Sequence, residues 1–284
     1  MDYLFYILVF SIGVSVGSFL NVLILRLSHD EGIGGRSACP KCGHQLAWHD
    51  LIPVFSFIFL RGRCRYCGMK ISWQYPIVEL VTGILFVLIF SKFFPLGGTI
   101  SQFPNFPISG LLFTVYCLLL TSCLIVIFVS DLKYFIIPDK VIIVAVMGTL
   151  LYKLFEILDF GYWDLFGIWD LGFGIWRPSL FSLLSAVGAC VFFLLIVLVT
   201  RGRGMGLGDV KMAFLMGLVL GWPKILPVLL LAFVSGALVG LALIVAGRAK
   251  MKSEIPFGTF LSVSTFFMLI WGSALFGWYL DYLF

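Results

Sequence analysis

The chain has 284 residues, of which 61% are hydrophobic and only 12% charged, against roughly a quarter charged in ordinary soluble domains. A mean hydropathy of +1.11 excludes an ordinary soluble enzyme and points to a protein solvated by lipid. The net charge of +5 is spread without a basic stripe interleaved with aromatics, which speaks against nucleic acid as a partner.

In chain order, runs of the roughly 20 apolar residues that a bilayer crossing needs fall at 4–25, 77–95, 110–130, 137–155, 179–200, 211–222, 225–246 and 257–280. The fold class expected is an all-α polytopic membrane protein with about eight transmembrane helices and a small cytoplasmic zinc-binding loop subdomain. The first run has no basic segment before it and no A-x-A-like site after it, so it reads as a membrane helix and not as a removed signal peptide. Between the first two runs lies 26–76, the one sizeable polar stretch, whose charges, glycines and paired cysteines mark a subdomain rather than a linker. The fourth run begins its helix immediately after Pro138, a residue that suits a helix start better than an interior. The sixth is short and meets the seventh through Trp222-Pro223-Lys224, read as a tight turn. Three parts are expected: a first transmembrane helix at 1–25, a cytoplasmic four-cysteine subdomain at 26–76 and a transmembrane bundle at 77–284.

Cytoplasmic loops carry an excess of Lys and Arg. With 26–76 placed in the cytoplasm, that side collects Arg26, Arg36, Lys41, Arg61, Arg63, Arg65 and Lys70, then Lys133, Lys140, Arg201, Arg203, Lys211, Arg248, Lys250 and Lys252. The other side receives only Lys92, Lys153, Arg177 and Lys224. Its loop 156–178 holds Glu156, Asp159, Asp164 and Asp170 among Trp163, Trp169 and Trp176, aromatics suited to a membrane interface. Both termini then lie outside.

Within 26–76, Cys39-Pro-Lys-Cys42 and Cys64-Arg-Tyr-Cys67 form two C-x-x-C units, each followed by glycine, Gly43 and Gly68. A knuckle turn needs a residue that tolerates positive φ and lets amides face the thiolates. Four thiolates complete a tetrahedral structural Zn2+ and leave no open position for catalysis. Two disulfides or a redox pair are the other readings; a reducing compartment and the lack of a βαβ context oppose them. His44 and His49 could substitute as ligands but read as surface residues. Cys117, Cys123 and Cys190, inside apolar helices, read as small hydrophobes.

Ionisable residues at membrane depth are costly and mark function. Asp131 ends the third run, and Asp209 opens the sixth after Gly204-Met205-Gly206-Leu207-Gly208, with Lys211 close behind. Two carboxylates at one site share a proton, so one can activate water while the other polarises a carbonyl. The glycines Gly206 and Gly208 let backbone approach a substrate strand. Other readings stand beside this one: Asp131 as a solvated juxtamembrane charge, Asp209 as a helix cap, or both as proton or cation sites of a membrane transporter. Asp139, after Pro138, reads as a helix cap.

The chain resembles the prepilin peptidases (type IV leader peptidases), a family of G-x-G-D membrane aspartyl peptidases. The likeness rests on Gly17-Ser18-Phe19-Leu20-Asn21-Val22…Arg26, the paired C-x-x-C loop, Tyr75-Pro76-Ile77-Val78-Glu79, Asp131…Ile137-Pro138-Asp139, Gly206-Leu207-Gly208-Asp209 and Pro256-Phe257-Gly258. The resemblance implies Asp131 and Asp209 as the catalytic residues and Gly206, Gly208 and Lys211 as the supporting loop. It implies type IV prepilins or pseudopilins as substrates, cleaved after a glycine at the inner face of a bacterial inner membrane. It also implies N-methylation of the new amino terminus with S-adenosyl-L-methionine, linked to the cytoplasmic loop. Glu79, near the inner end of the second run, has two readings: a place in the methylating site, or a structural acid paired with a residue such as Arg26. Asn21 reads as an interhelical hydrogen-bonder.

Overall fold

A computed structural model of the chain describes residues 2–28, 32, 34–39, 41–94, 108–159, 178–202, 205–248 and 255–283. Among these, every regular element is a helix, and β pairing is confined to two isolated bridges, Ala38 with Gln45 and Arg63 with Lys70. The helices are α1 (Asp2–Ser28), α2 (Phe55–Phe59), α3 (Gln74–Phe93), α4 (Ile108–Tyr134), α5 (Asp139–Asp159), α6 (Pro178–Thr200), α7 (Leu207–Leu220), α8 (Ile225–Val245) and α9 (Phe257–Leu283), with a 3-10 turn at Trp48–Leu51. The acidic, aromatic loop expected at 156–178 falls mostly outside the described residues.

Six helices, α1, α3, α4, α5, α6 and α8, are long and apolar enough to cross a bilayer, and α9 is apolar over Phe257–Gly272. The expected crossing at 211–222 is different. With 14 residues, α7 is about 21 Å long, short of the roughly 30 Å hydrocarbon core. It packs against α5, α6, α8 and α9. Met212, Ala213, Leu215 and Met216 are fully buried on it. A helix apolar on every face can be solvated by lipid or by other helices, and here the neighbours are helices. A cis Trp222–Pro223 peptide and Gly221, at φ 66°, form the turn into α8.

The chain forms two compact units, Met1–Val126 and Ile127–Phe284. In the first, α1 and α3 meet through small residues. A Cβ on Gly13 would lie 2.8 Å from the Gly83 Cα, and one on Gly17 would lie 2.8 Å from the Glu79 Cα. Gly13 and Gly17 thus form a small-x-x-x-small stripe that brings the backbones together, a packing mode suited to lipid. Asn21, the next turn along, donates from Nδ2 to the Tyr75 carbonyl at 3.1 Å, which is the interhelical bond expected of it. In the second unit, Gly217 of α7 plays the same part against Ala186 of α6, where a Cβ would meet backbone at 2.5 Å.

Candidate active site and metal centre

In the second unit, Asp131 and Asp209 are 5% and 8% exposed, and each is held by backbone N–H groups. Asp131 lies in the last turn of α4, which closes through the Phe135 N–H donating to the Asp131 carbonyl at 2.9 Å, with Phe135 left-handed at φ 56°. Its Oδ2 accepts the Thr259 N–H at 2.8 Å, and the carboxylate also receives the Gly258 N–H. These amides belong to the first turn of α9, whose N–H groups have no partner within the helix. The carboxylate therefore caps α9 from outside, and its charge faces the positive end of the helix dipole.

Asp209 is the third residue of α7, not its cap. Gly206 is the N-cap, and Asp209 Oδ2 reaches back to the Gly206 N–H at 3.3 Å, as an acid at that position does. The carboxylates are near enough for the charge on Asp131 to act on Asp209.

One apolar side chain joins the motifs. A Cβ on Gly208 would meet Ile137 Cβ and Cδ1 at 3.2 Å, and a Cβ on Gly258 would meet Ile137 Cδ1 at 2.8 Å. Ile137 thus fills a notch that both glycines leave open. The lack of a Cβ at Gly208 leaves room for Ile137. Gly206, by contrast, has no side chain within reach of an added Cβ.

Asp139 is the first residue of α5 and pairs with Lys211, whose Nζ donates to Oδ1 at 2.6 Å. Both side chains are about half exposed or more, at 61% and 48%. Lys211, the nearest cation to Asp209 in sequence, is therefore engaged at the surface.

In the first unit, the ligand atoms of Cys39, Cys42, Cys64 and Cys67 all lie within 4.8 Å of one another. Cys39 and Cys67 Sγ are 3.9 Å apart. Tetrahedral ligands about 2.3 Å from a zinc ion stand roughly this far from each other, so the donor set fits a metal. Both knuckles have the same hydrogen bonds. Gly43 N–H donates to the Cys39 carbonyl and Cys39 N–H to that of His44; Gly68 and Cys64 repeat this with Cys64 and Met69. Gly43 and Gly68 take φ 68° and 69°, as the turn chemistry requires. Amides of Cys42 and Lys41 lower the Cys39 thiol to about 6. At Cys67 the Met69 amide pulls the same way, but desolvation and the three neighbouring thiols prevail and push it up to about 11. Four sulfurs packed this closely cannot all shed protons without a cation among them.

Among the described residues, neither His44 nor His49 joins the four clustered sulfurs. His44 lies against the Tyr66 ring, centroids 3.7 Å apart. Asp50, which sequence reading passed over, accepts from Arg65 Nε at 2.8 Å and from Tyr66 Oη at 3.2 Å, tying the 3-10 turn to the second knuckle.

Glu79 is buried, at 6% exposure. Its partners are the Val54 N–H, 2.7 Å from Oε2, and Ser18; the pairing with Arg26 does not form. Arg26 instead donates to the carbonyls of Gly34, Gly35 and Arg36.

Two family models match in tandem, "Bacterial Peptidase A24 N-terminal domain" over residues 11–93 and "Type IV leader peptidase family" over 118–241. Curated relatives called "Prepilin leader peptidase/N-methyltransferase" are similar over nearly the full length. The protein of Aeromonas hydrophila is 31% identical, with 99% of this chain and 95% of the relative covered. That of Myxococcus xanthus (strain DK1622) is 34% identical, covering 88% and 67%. That of Bacillus subtilis (strain 168) is 28% identical, covering 96% and 97%. No solved structure matches.

Proposed function

This chain belongs to the type IV leader peptidase family, and on that premise we propose that Asp131 and Asp209 are the catalytic pair of a membrane-embedded prepilin peptidase. The observation that supports the pair is its geometry: two buried carboxylates, far apart in sequence, each held by backbone amides and within reach of each other's charge. Donors aimed at a carboxylate favour its ionised form. Asp131 receives two N–H groups of a helix start, whereas Asp209 receives one at 3.3 Å. Asp131 is therefore the base and Asp209 carries the proton the pair shares.

In this mechanism Asp131 takes a proton from water as the water oxygen bonds to the scissile carbonyl carbon. Asp209 gives its proton to the carbonyl oxygen, so the tetrahedral intermediate forms without a bare oxyanion. On collapse the C–N bond breaks, the leaving nitrogen takes the proton held on Asp131, and a hydroxyl proton of the intermediate returns to Asp209. One water is consumed and the pair is restored. Gly206, Gly208 and Lys211 support Asp209: the first through its amide, the second by admitting Ile137, and Lys211 by tying α7 to the start of α5.

The substrates are type IV prepilins or pseudopilins, whose leader is removed at the cytoplasmic face of the bacterial inner membrane, where the positive-inside rule sets both the dyad and the 26–76 subdomain. Cys39, Cys42, Cys64 and Cys67 hold a structural Zn2+ that cross-links the two knuckles. The same protein N-methylates the new amino terminus. S-adenosyl-L-methionine, when bound, supplies the electrophilic methyl group for that step. We place that activity on 26–76 and the peptidase on the 77–284 bundle. The contacts of Glu79 support its structural reading over a place in the methylating site. The matched models are peptidase models, which leaves the transporter reading without support.

The test is incubation of the purified protein with a prepilin and mass spectrometry of the product. A leader lost by hydrolysis after a glycine, and kept when Asp131 or Asp209 is changed to Asn, supports the reading. Cleavage by both Asn variants at the wild-type rate refutes it.

A further inference from the structure

The segment between the two knuckles exposes a set of large apolar side chains in what composition marks as a polar subdomain. Phe55, Ile58 and Phe59 are 61%, 62% and 83% exposed, and spacings of three and four residues put them on one face of α2. Trp48, Leu51 and Ile52 are exposed just before it. A contiguous apolar face of this kind on a soluble subdomain calls for a partner.

The depth of the segment identifies that partner. Helix α3 has 20 residues, about 30 Å, which matches the hydrocarbon core it crosses. Glu79 lies five residues into it, about 7 Å past its start. The Val54 N–H bonds Glu79 Oε2 at 2.7 Å, so the start of α2 lies at the depth of the second turn of α3. A second tie is aromatic: Phe57 packs on Trp73, the N-cap of α3, with centroids 5.0 Å apart. At that depth α3 turns Ile77 and Leu80 outward, at 53% and 39% exposure, and these residues face lipid.

The backbone at the junction is built for this bend. Val54 has φ 61° and ψ −51°, and the Phe55 N–H donates to the Pro53 carbonyl at 2.6 Å. This is a γ-turn of the strained sense centred on a β-branched residue, a conformation that persists only where surroundings impose it. The buried carboxylate of Glu79 imposes it by accepting the N–H of Val54 itself. After α2 the chain from 60 to 73 contains no acidic residue and carries Arg61, Arg63 and Lys70 beside Arg65, which is paired with Asp50, a balance suited to anionic headgroups.

We propose that residues 51–60 form an interfacial wedge, with Phe55, Ile58 and Phe59 seated among the acyl chains of the leaflet in which α3 begins and Glu79 pinning the wedge to α3. The partner is phospholipid. The proposal needs α3 to be membrane-spanning but is independent of the peptidase chemistry.

Full-length protein in vesicles of phosphatidylethanolamine and phosphatidylglycerol carrying a diazirine on the acyl chain tests it. After illumination, adducts are mapped by mass spectrometry. Residues 51–60 should be labelled as heavily as Ile77–Ile84, while residues 41–46 of the first knuckle stay unlabelled. The triple substitution of Phe55→Ser, Ile58→Ser and Phe59→Ser, all at exposed positions, should abolish adducts in 51–60 and keep both those of α3 and the bound metal. Labelling of 51–60 no greater than that of 41–46 overturns the proposal. Labelling that a saturating prepilin peptide removes, with cross-links from that peptide to the same residues, also overturns it and makes the face a substrate dock.

Discussion

Changing Gly258 to Ala isolates the link between helix packing and the carboxylate pair. The added Cβ would stand 2.9 Å from Asp131 Oδ2, 3.1 Å from its Cγ and 2.8 Å from Ile137 Cδ1. Non-bonded carbons settle at about 3.5–4.0 Å, so Ile137 must retreat by roughly 0.7 Å. The tip of Ile137 can rotate away. The carboxylate cannot move without stretching its 2.8 Å bond from Thr259. Loss of one hydrogen bond to a charged group costs about 1.5–3 kcal/mol, which is roughly 10- to 100-fold in rate if the bond is needed in the transition state. The fold should survive. Overpacking costs about 1–3 kcal/mol, and Ala recovers about 0.5–1 kcal/mol over Gly within a helix. Cleavage of a prepilin by purified Gly258→Ala should therefore show kcat lower by at least about tenfold, with KM and thermal melting little changed. Gly236→Ala is the control: its added Cβ meets nothing closer than 3.5 Å. Wild-type turnover by folded Gly258→Ala would refute the argument that the amides at 258 and 259 hold Asp131 in register.

Asp131→Asn and Asp209→Asn should each lower cleavage by about 10²- to 10⁴-fold or more, the usual scale for a lost proton-transfer group, with circular dichroism unchanged. Wild-type cleavage should fall at both acidic and alkaline pH, since the pair works with one proton; a plateau at either extreme in a pH–rate profile would contradict this. Asp139→Asn removes only an exposed ion pair to Lys211, worth about 0–1 kcal/mol, and should leave cleavage near wild type. Elemental analysis should find about one zinc per chain, lost in the double variant Cys39→Ser with Cys64→Ser. Metal binding should tighten as pH rises, because the Cys67 thiol, pushed up to about 11, must give up its proton to a competing cation.

The lipid-crossing helices were legible because solvation by hydrocarbon demands long apolar runs, whatever the packing partners. The four-cysteine centre was legible for a similar reason: ligand spacing and the following glycines are local requirements. Helix α7 was not separable from a bilayer crossing, since burial by four helices and burial by lipid select the same side chains. Helix α5 starts at Asp139, immediately after Pro138 as expected, with Ile137 drawn into the glycine notch and the Pro138 carbonyl accepting the Val141 N–H. The amides of Gly258 and Thr259 that the Asp131 carboxylate caps carry no side-chain signature; only the Pro256-Phe257-Gly258 element marks the place. Val54 gave no warning either, for a β-branched residue is the last one expected at positive φ.

Ile137 has a consequence for how sequences of this kind can drift. Its volume is bounded from one side by the missing Cβ of Gly208 and from the other by that of Gly258, although the three residues lie on separate stretches of the chain. Enlarging either glycine position therefore calls for a smaller residue at 137, and enlarging 137 is blocked at both. Positions in contact are not independent in their energetic effects. The three are expected to change together or not at all, and Ile137→Val is the first substitution to try as a partial rescue of Gly208→Ala, where the added carbon is only a few tenths of an ångström too close.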